Sequence, residues 1–175
     1  LKDIINREST FFYVSPFWRT RMTFEQIAGQ LLPEQRKYIE EPRLREQEWG
    51  HLRAPDDEKK IDKERDEYGP FYFRIPEGES CADVYDRVSD FFGTLNRDFD
   101  KADFPDNAVI ITHGMTLRLF LMRWYHWSVE RFESYGNPDN CQIVMMLRNE
   151  SGKYDLNGEL RHHLVKHKYQ MSNIL

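Results

Sequence analysis

The chain has 175 residues, of which 39% are hydrophobic and 14% are aromatic. This composition is typical of a globular protein and excludes an intrinsically disordered one, while the length predicts a single domain over residues 1–175 that buries a substantial core. Since the net charge is −5, the chain has no general attraction for nucleic acid, so any affinity for phosphate groups must be local.

The first predicted elements are a strand and a helix. Residues 11–14 form an aromatic run that favours a strand, and Pro16 marks its end because proline favours a turn. The apolar residues that follow recur at helical spacing as far as Pro33, which marks the end of a helix. They are Phe24, Ile27, Ala28, Leu31 and Leu32. Residues 40–68 are highly charged and predict loops and short helical pieces, within which residues 56–67 indicate a solvated surface helix or a flap.

A second helix and a second strand follow. Ser80 is a good helix N-cap, and Asp83 stands three residues later in the position of a capping box. Apolar residues then form one helical stripe as far as residue 99. Residues 108–118 predict a buried strand that runs straight into a helix, with His113 at the junction.

The remaining elements continue this alternation. The helix after His113 is predicted to extend from about residue 115 to residue 124. Residues 141–147 predict another buried strand, and Ser151 and Gly152 predict a turn. Strands that alternate with helices indicate an α/β domain with a largely parallel sheet.

Two groups suited to binding an anion follow predicted strands. In open α/β sheets, ligands bind beyond the carboxyl ends of the strands, where Arg19 and His113 are expected to lie. Arg19 offers a planar fork of donors to a phosphate, and His113 can donate a hydrogen bond or a proton. Gly114 allows close approach to a ligand at the start of a helix. Taken alone, His113 could equally be a capped core residue and Arg19 a surface residue, so the inference depends on the joint pattern.

This joint pattern resembles the histidine phosphatase superfamily, also called the phosphoglycerate mutase-like family. Residues 15–23 are similar to the family motif S-P-x-x-R-T/A-x-x-T, and residues 44–50 to L-x-E-x-x-x-G. Residues 76–87 match P-x-G-E-S-x-x-D-x-x-x-R, and residues 113–118 match H-G-x-x-x-R. The spacing is most similar to that of plant and fungal members. The resemblance implies a three-layer sandwich, in which helices flank a mostly parallel central sheet.

The resemblance also implies a role for each matched residue. Arg19 is the second arginine of the phosphate pocket, and His113 is the second histidine, which stabilises the transferring phosphoryl group without attacking it. Glu46 is the acid that protonates the leaving oxygen and then acts as a base towards water. Glu48 is the alternative for this role, because a slip of register would exchange the two glutamates.

Further substrate contacts are implied for Ser15, Glu79, Ser80 and Gly114, of which Glu79 and Ser80 are expected at the rim of the pocket. Ser80 could instead serve only as a helix cap. The resemblance implies structural roles for Arg87 and Arg118.

The family's Arg-His-Gly motif, which carries the nucleophilic histidine, does not occur in this chain. Residues 161–163, Arg-His-His, are the nearest string, but they lack the glycine and follow no convincing strand. Because the chain begins with Leu1, we expect that an N-terminal segment with this motif is missing. In family members that segment supplies a central strand, so we expect the chain alone to be poorly stable and prone to aggregation. A truncated pseudoenzyme is the alternative.

The function implied is that of a metal-independent phosphatase, which hydrolyses a small phosphorylated substrate through a phosphohistidine and uses no cofactor. The alternatives are a mutase-type phosphoryl transferase and a catalytically inactive binding module. We expect no nucleic-acid or membrane partner, since no apolar run reaches the length of a membrane span. The two cysteines form no disulfide framework, which favours the cytoplasm. The oligomeric state does not follow from the sequence.

Two weaker patterns have simple alternatives. A loosely metal-like spacing, with a polar tail as the favoured alternative, occurs at His162, His163 and His167. Cationic residues that could reach over the pocket, or lie in a solvated loop, are Arg43, Arg45, Arg53 and Lys59.

Overall fold

The computed structural model describes residues 9–51, 55–158 and 160–162. Its strands are β1 (Thr10–Val14), β2 (Lys37–Glu40), β3 (Asn107–Ile111), β4 (Met145–Arg148) and β5 (Tyr154–Asn157). Its helices are α1 (Trp18–Ala28), α2 (Pro55–Tyr68), α3 (Cys81–Phe99), α4 (Gly114–Trp124) and α5 (Val129–Glu133). Short 3-10 helices cover Pro33–Gln35 and Pro42–Leu44.

The main sheet is parallel, with β1 between β2 and β3. Alternate side chains of β1 face opposite layers, as expected for a strand covered on both faces. Phe12 packs with Phe24 of α1 on one face. Tyr13 packs with Phe91 of α3 on the other face, in a core shared with α4. The predicted α/β fold, with helices on both sides of a parallel sheet, is confirmed.

Because the strands are parallel, their carboxyl ends lie along one edge of the sheet. The backbone amide of Ser15, just after β1, donates to the carbonyl of Ile111 at the end of β3. The amide of Glu41, just after β2, donates to the carbonyl of Val14. The segments that leave β1, β2 and β3 therefore start side by side, and three of the four sequence motifs lie on these segments.

The capping box predicted before α3 is present. Ser80 Oγ accepts a hydrogen bond from the amide of Asp83, and the Asp83 carboxylate accepts one from the amide of Ser80. The buried stripe of this 19-residue helix faces α4 and the sheet. This arrangement brings the N-terminus of α3 to the same edge as the ends of the strands.

Several predicted boundaries were wrong. Helix α1 begins at Trp18 and ends at Ala28, so Leu31 and Leu32 lie beyond it. The predicted buried strand over residues 141–147 is shorter and more exposed than expected. Strand β4 begins at Met145 and forms an antiparallel hairpin with β5, while Ile143 is 50% exposed. The predicted turn at Ser151 and Gly152 joins these two strands.

The charged segment predicted as a surface helix or flap contains α2, whose side chains are mostly exposed. Ile61 is buried, and the guanidinium of Arg65 lies over the ring of Trp49. Among the residues that the structure describes, no helix combines the length and apolar character needed to span a membrane.

Candidate active site

His113 lies at the centre of the site, between β3 and α4. Its residue is 8% exposed, and both ring nitrogens are engaged. Arg19 Nε donates to His113 Nδ1 at 3.0 Å, and His113 Nε2 lies 2.7 Å from Ser15 Oγ. Because Nδ1 accepts, the proton of the neutral ring is on Nε2, which donates to Ser15. The ring also makes an edge contact with Phe17.

The surroundings of His113 favour its neutral form. Burial, together with the positive charges of Arg19 and Arg87, lowers its pKa from an ordinary 6.5 to about 4. Burial is the largest cause. It lowers the pKa because it removes the water that would solvate an imidazolium. A dianionic ligand beside the ring would raise this pKa, because its negative charge favours the imidazolium.

Arg19, in the first turn of α1, is exposed. Its Nε is used for His113, and the guanidinium also lies 5.0 Å from the centre of the Phe17 ring. Within the described part of the chain, no acceptor contacts its two terminal nitrogens. These nitrogens leave a pair of parallel donors at the edge of the sheet, an arrangement suited to two oxygens of a phosphate.

The carboxylate of Glu46, from the loop after β2, lies against the N-terminus of α4, the helix that begins directly after His113. This carboxylate accepts hydrogen bonds from the amides of Met115, at 3.4 Å, and Thr116, at 3.2 Å, and one carboxylate oxygen lies 3.2 Å from the Thr116 hydroxyl oxygen. The first-turn amides predicted to attract an external anion are therefore partly occupied by this carboxylate. Glu48 is exposed, and its backbone amide donates to Glu79. The structure places the side chain of Glu46 against α4, whereas the side chain of Glu48 is exposed to solvent.

The glycines of two sequence motifs mark a contact between two loops. A Cβ atom on Gly50 would collide with the carbonyl oxygen of Pro76, and one on Gly78 with that of Glu48. Gly50 also has a φ of 64°, which favours glycine. The loop that carries Glu46 is therefore fastened to the loop before α3.

Glu79 and Arg87 strengthen this attachment. The Glu79 carboxylate accepts hydrogen bonds from Arg45, Arg87 and the amide of Glu48. Arg87 also donates to the carbonyls of Arg43 and Glu46. The Glu79 carboxylate is thus engaged in hydrogen bonds within the protein. Arg87 holds the loop of Glu46 in place, in line with the structural role implied for it.

Two more residues predicted to contact the substrate, Ser15 and Ser80, have partners within the protein. Ser15 is fully buried, with its hydroxyl against His113. Ser80 is 4% exposed and caps α3. In this arrangement, the Ser15 hydroxyl is placed to orient His113, and that of Ser80 to begin a helix.

Two polar residues at the site carry no signal in the sequence. Thr116, in the first turn of α4, donates through its hydroxyl to the carbonyl of Arg45, which ties this helix to the Glu46 loop. Asn137 packs its side chain against Gly114 and accepts a hydrogen bond from Arg118. The two residues of each contact lie far apart in the sequence, so no local motif predicts these contacts.

The cationic residues predicted to reach over the pocket have other partners. Arg43 pairs with Glu41 and Asp90, Arg45 with Glu79, and Lys59 with Asp56. Arg53 lies outside the described residues. His162 pairs through its backbone with Tyr135, and His163 and His167 also lie outside the described residues.

The site therefore combines a pair of guanidinium donors that have no acceptor among the described residues, a buried neutral imidazole and a carboxylate at a helix N-terminus. The arginine can hold an anion, the imidazole can gain a proton when that anion binds, and the carboxylate can exchange a proton with a nearby oxygen. These three capacities suit a site that binds a phosphate group and moves a proton.

Comparison with known proteins places the chain in a family. A family model described as the histidine phosphatase superfamily (branch 1) matches residues 2–157. The phosphoglycerate mutase-like protein AT74 of Arabidopsis thaliana is 43% identical over 155 residues, which cover 83% of this chain and 48% of AT74. The broad-range acid phosphatase DET1 of Saccharomyces cerevisiae is 44% identical over 115 residues, which cover 64% of this chain and 34% of DET1.

The fold is also that of solved structures. The structure titled mycobacterial hydrolase 1 superposes with a TM-score of 0.69 at 19% identity, over 93% of this chain and 80% of that one. The chain spans about half the length of the Arabidopsis relatives AT74 and AT74H, at 48% and 54%. On the extent of the family match, this chain belongs to the histidine phosphatase superfamily (branch 1).

Proposed function

We propose that this chain supplies Arg19, His113 and Glu46 to the active site of a phosphatase that hydrolyses a small phosphomonoester through a phosphohistidine. The observation that carries the proposal is the meeting of Arg19, His113 and Glu46 at the carboxyl edge of the parallel sheet. The similarity to a broad-range acid phosphatase supports hydrolysis as the reaction.

Arg19 and His113 bind the phosphoryl group in this proposal. The terminal nitrogens of Arg19 hold two of its oxygens. The dianion raises the pKa of His113, and the ring then gains a proton on Nδ1, the nitrogen that faces Arg19. Nδ1 changes from an acceptor for Arg19 to a donor for a phosphoryl oxygen, while Ser15 keeps its hold on Nε2. This donor stabilises the charge that develops during transfer.

Glu46 supplies and then recovers one proton. A nucleophilic histidine attacks phosphorus, the bond to the leaving oxygen breaks, and this oxygen takes the proton of the Glu46 carboxyl group. Water then attacks the phosphohistidine, Glu46 takes the proton of that water, and the phosphorus–nitrogen bond breaks to release phosphate. The position of the Glu46 carboxylate, at the N-terminus of the helix that follows His113, supports this assignment over Glu48.

The nucleophilic histidine lies on a segment that precedes Leu1, in the strand that carries Arg-His-Gly in family members. Two features of the sheet support a further strand beside β3. Strand β3 is an edge strand among the described residues. Its residues 107–110, which include the apolar Ala108, Val109 and Ile110, are only partly buried. The β4–β5 hairpin forms a separate sheet.

The experiment is to trap the phosphorylated enzyme. The full natural protein is mixed with a radiolabelled phosphomonoester and quenched within milliseconds to seconds. We expect a label that is stable in alkali and lost in acid, as expected for phosphohistidine, followed by release of inorganic phosphate. Delivery of the label to an added phosphoglycerate instead of water would identify a mutase. A protein that takes up no label and releases no phosphate would be an inactive binding module.

A further inference from the structure

The space beside Gly114 is filled by the side chain of Asn137, from the loop between α5 and β4. A Cβ atom on Gly114 would lie 2.9 Å from Asn137 Cγ and 3.3 Å from Asn137 Nδ2. Gly114 follows His113 directly and is the first residue of α4. The glycine of this motif therefore admits a polar side chain from elsewhere in the fold, and the amide of that side chain lies against the residue that follows His113.

Arg118 fixes the orientation of the Asn137 amide. This arginine is 8% exposed, and its guanidinium lies 4.5 Å from the centre of the Phe132 ring. It donates through Nη2 to the carbonyl of Phe132 and through Nη1 to Asn137 Oδ1, at 3.1 Å. Because arginine has only donors, Asn137 must present its oxygen to Arg118. The Nδ2 group of Asn137 then faces away from the buried guanidinium. Asn137 itself is exposed.

The loop that carries Asn137 is held at other points as well. The amide of Gly136 donates to the carbonyl of Arg161 at 2.8 Å. The Arg161 guanidinium pairs with Asp139 at 2.7 Å. Since these contacts do not involve the Asn137 side chain, replacement of that side chain leaves the anchors of the loop in place.

We propose that Asn137 is a substrate-contacting residue, whose Nδ2 donates a hydrogen bond to an oxygen of a phosphoryl group bound beside His113 and Gly114. This inference rests on the proposed phosphatase function. The carboxylate of Glu46 already occupies the amides of Met115 and Thr116. A phosphoryl group at this helix must therefore find donors other than these two amides, and Asn137 supplies one.

The test uses the full natural protein with p-nitrophenyl phosphate as substrate and inorganic phosphate as inhibitor. In Asn137→Ala, we expect KM and the inhibition constant of phosphate to rise about tenfold, as expected for the loss of one hydrogen bond to a charged group. In Asn137→Asp, we expect a larger rise, because the variant keeps an acceptor for Arg118 but replaces the donor by a negative charge. The matched control is Asn140→Ala, an exposed asparagine of the same loop, for which both constants should stay within about twofold.

The outcomes separate this proposal from the function on which it rests. Unchanged constants in Asn137→Asp, in an enzyme that hydrolyses the aryl phosphate, would overturn the role of Asn137 alone. If Asn137 had a purely structural role, its variants would show a lower melting temperature and a lower kcat but an unchanged inhibition constant of phosphate. This result would also overturn the role of Asn137 in binding substrate. A wild-type protein that neither hydrolyses the substrate nor binds phosphate would overturn both proposals.

Discussion

His113 is held between a cation and a hydroxyl, and this position makes its protonation state respond to the ligand. Arg19 donates to one ring nitrogen, and Ser15 lies against the other. Protonation in the empty site would place a second positive charge beside Arg19 and break the bond between them. A bound phosphoryl group removes this conflict, because it can accept from both residues.

The first prediction concerns the titration of His113. Its pKa in the folded protein is about 4, against 6.5 for an ordinary histidine. Because the pKa of His113 is lower in the folded protein than in the unfolded chain, its contribution to the free energy of unfolding is complete above about pH 6.5. This contribution is lost as the pH falls towards 4. Between pH 7 and pH 4.5, we expect the free energy of unfolding of the full natural protein to fall by on the order of 2 kcal/mol more than that of His113→Gln.

Urea titrations of both proteins at the two pH values provide the measurement. The difference between the proteins isolates His113 from the other groups that titrate in this range. Equal losses of stability would contradict a depressed pKa. In a parallel nuclear magnetic resonance titration, saturating phosphate should raise the pKa of the His113 imidazole.

The second prediction concerns the proton donor. In Glu46→Gln, we expect turnover of an alkyl phosphate to fall by about 100-fold or more, because an alkoxide leaves poorly without a proton. Turnover of p-nitrophenyl phosphate should fall by less than about tenfold, since its leaving group needs little protonation. Steady-state kinetics with both substrates provide the measurement. Glu48→Gln is the matched control, and similar losses for both substrates in Glu46→Gln would count against the assignment.

The sequence predicted the residues that meet at the site better than the contacts around them. The motifs identified Arg19, Glu46 and His113, and these lie on neighbouring segments in the structure. The contact of Ser15 with His113 joins residues 98 positions apart, so no local pattern contains it. The same is true of Asn137, which comes from a loop without periodic residues.

Among the elements, α3 shows how one residue can look functional and structural at once. Ser80 lies in the family motif, yet its hydroxyl accepts from the amide of Asp83 and donates to the Asp83 carboxylate. These bonds satisfy the N-terminus of a 19-residue helix that packs on both α4 and the sheet. The helix in turn presents Arg87, which holds the loop of Glu46.

The third prediction separates these two readings of Ser80. In Ser80→Ala, we expect the protein to lose about 1 kcal/mol of stability through loss of the cap, with KM and kcat for p-nitrophenyl phosphate within about twofold of the wild type. Thermal unfolding and steady-state kinetics measure the two effects. Ser128→Ala, which removes the cap of α5, is the control and should lose stability by a similar mechanism. A rise in KM without a loss of stability would show instead that Ser80 contacts the substrate.

Capping and amphipathic periodicity made α3 predictable, whereas the short strands were less so. Strand β2 has the sequence Lys-Tyr-Ile-Glu, and all of its residues are exposed, so it lacks the apolar pattern of a buried strand. The apolar run over residues 141–147 predicted too long a strand. Cys141 has a φ of 59°, which no extended strand adopts, so pairing can begin only later.

At the scale of the whole molecule, the alternation of strands and helices predicted the layers, but not the order of the strands. That order places β1 in the centre and β3 at the edge of the described sheet. In the ladder with β1, the amide of Asn107 and the carbonyl of Ile111 point towards β1. By the alternation of a parallel strand, the amides of Ala108 and Ile110 point the other way.

The fourth prediction uses this alternation to test for a further strand beside β3. In the full natural protein, we expect the amides of Ala108 and Ile110 to be protected from hydrogen exchange as strongly as those of Val109 and Ile111, because a strand from the N-terminal segment binds them. Hydrogen exchange resolved by residue provides the measurement, with the amides of β1 as the internal reference. Rapid exchange confined to Ala108 and Ile110 would contradict the further strand.

The central claim is that this chain supplies the phosphate-binding half of a phosphatase site, with His113 in contact with the transferring group. The most direct measurement is the turnover of p-nitrophenyl phosphate by the full natural protein and by its His113→Ala variant, with thermal unfolding of both. We predict hydrolysis by the wild type and a loss of about 100-fold or more in the variant, which should still unfold cooperatively. Near-normal turnover in a folded His113→Ala variant would contradict the account.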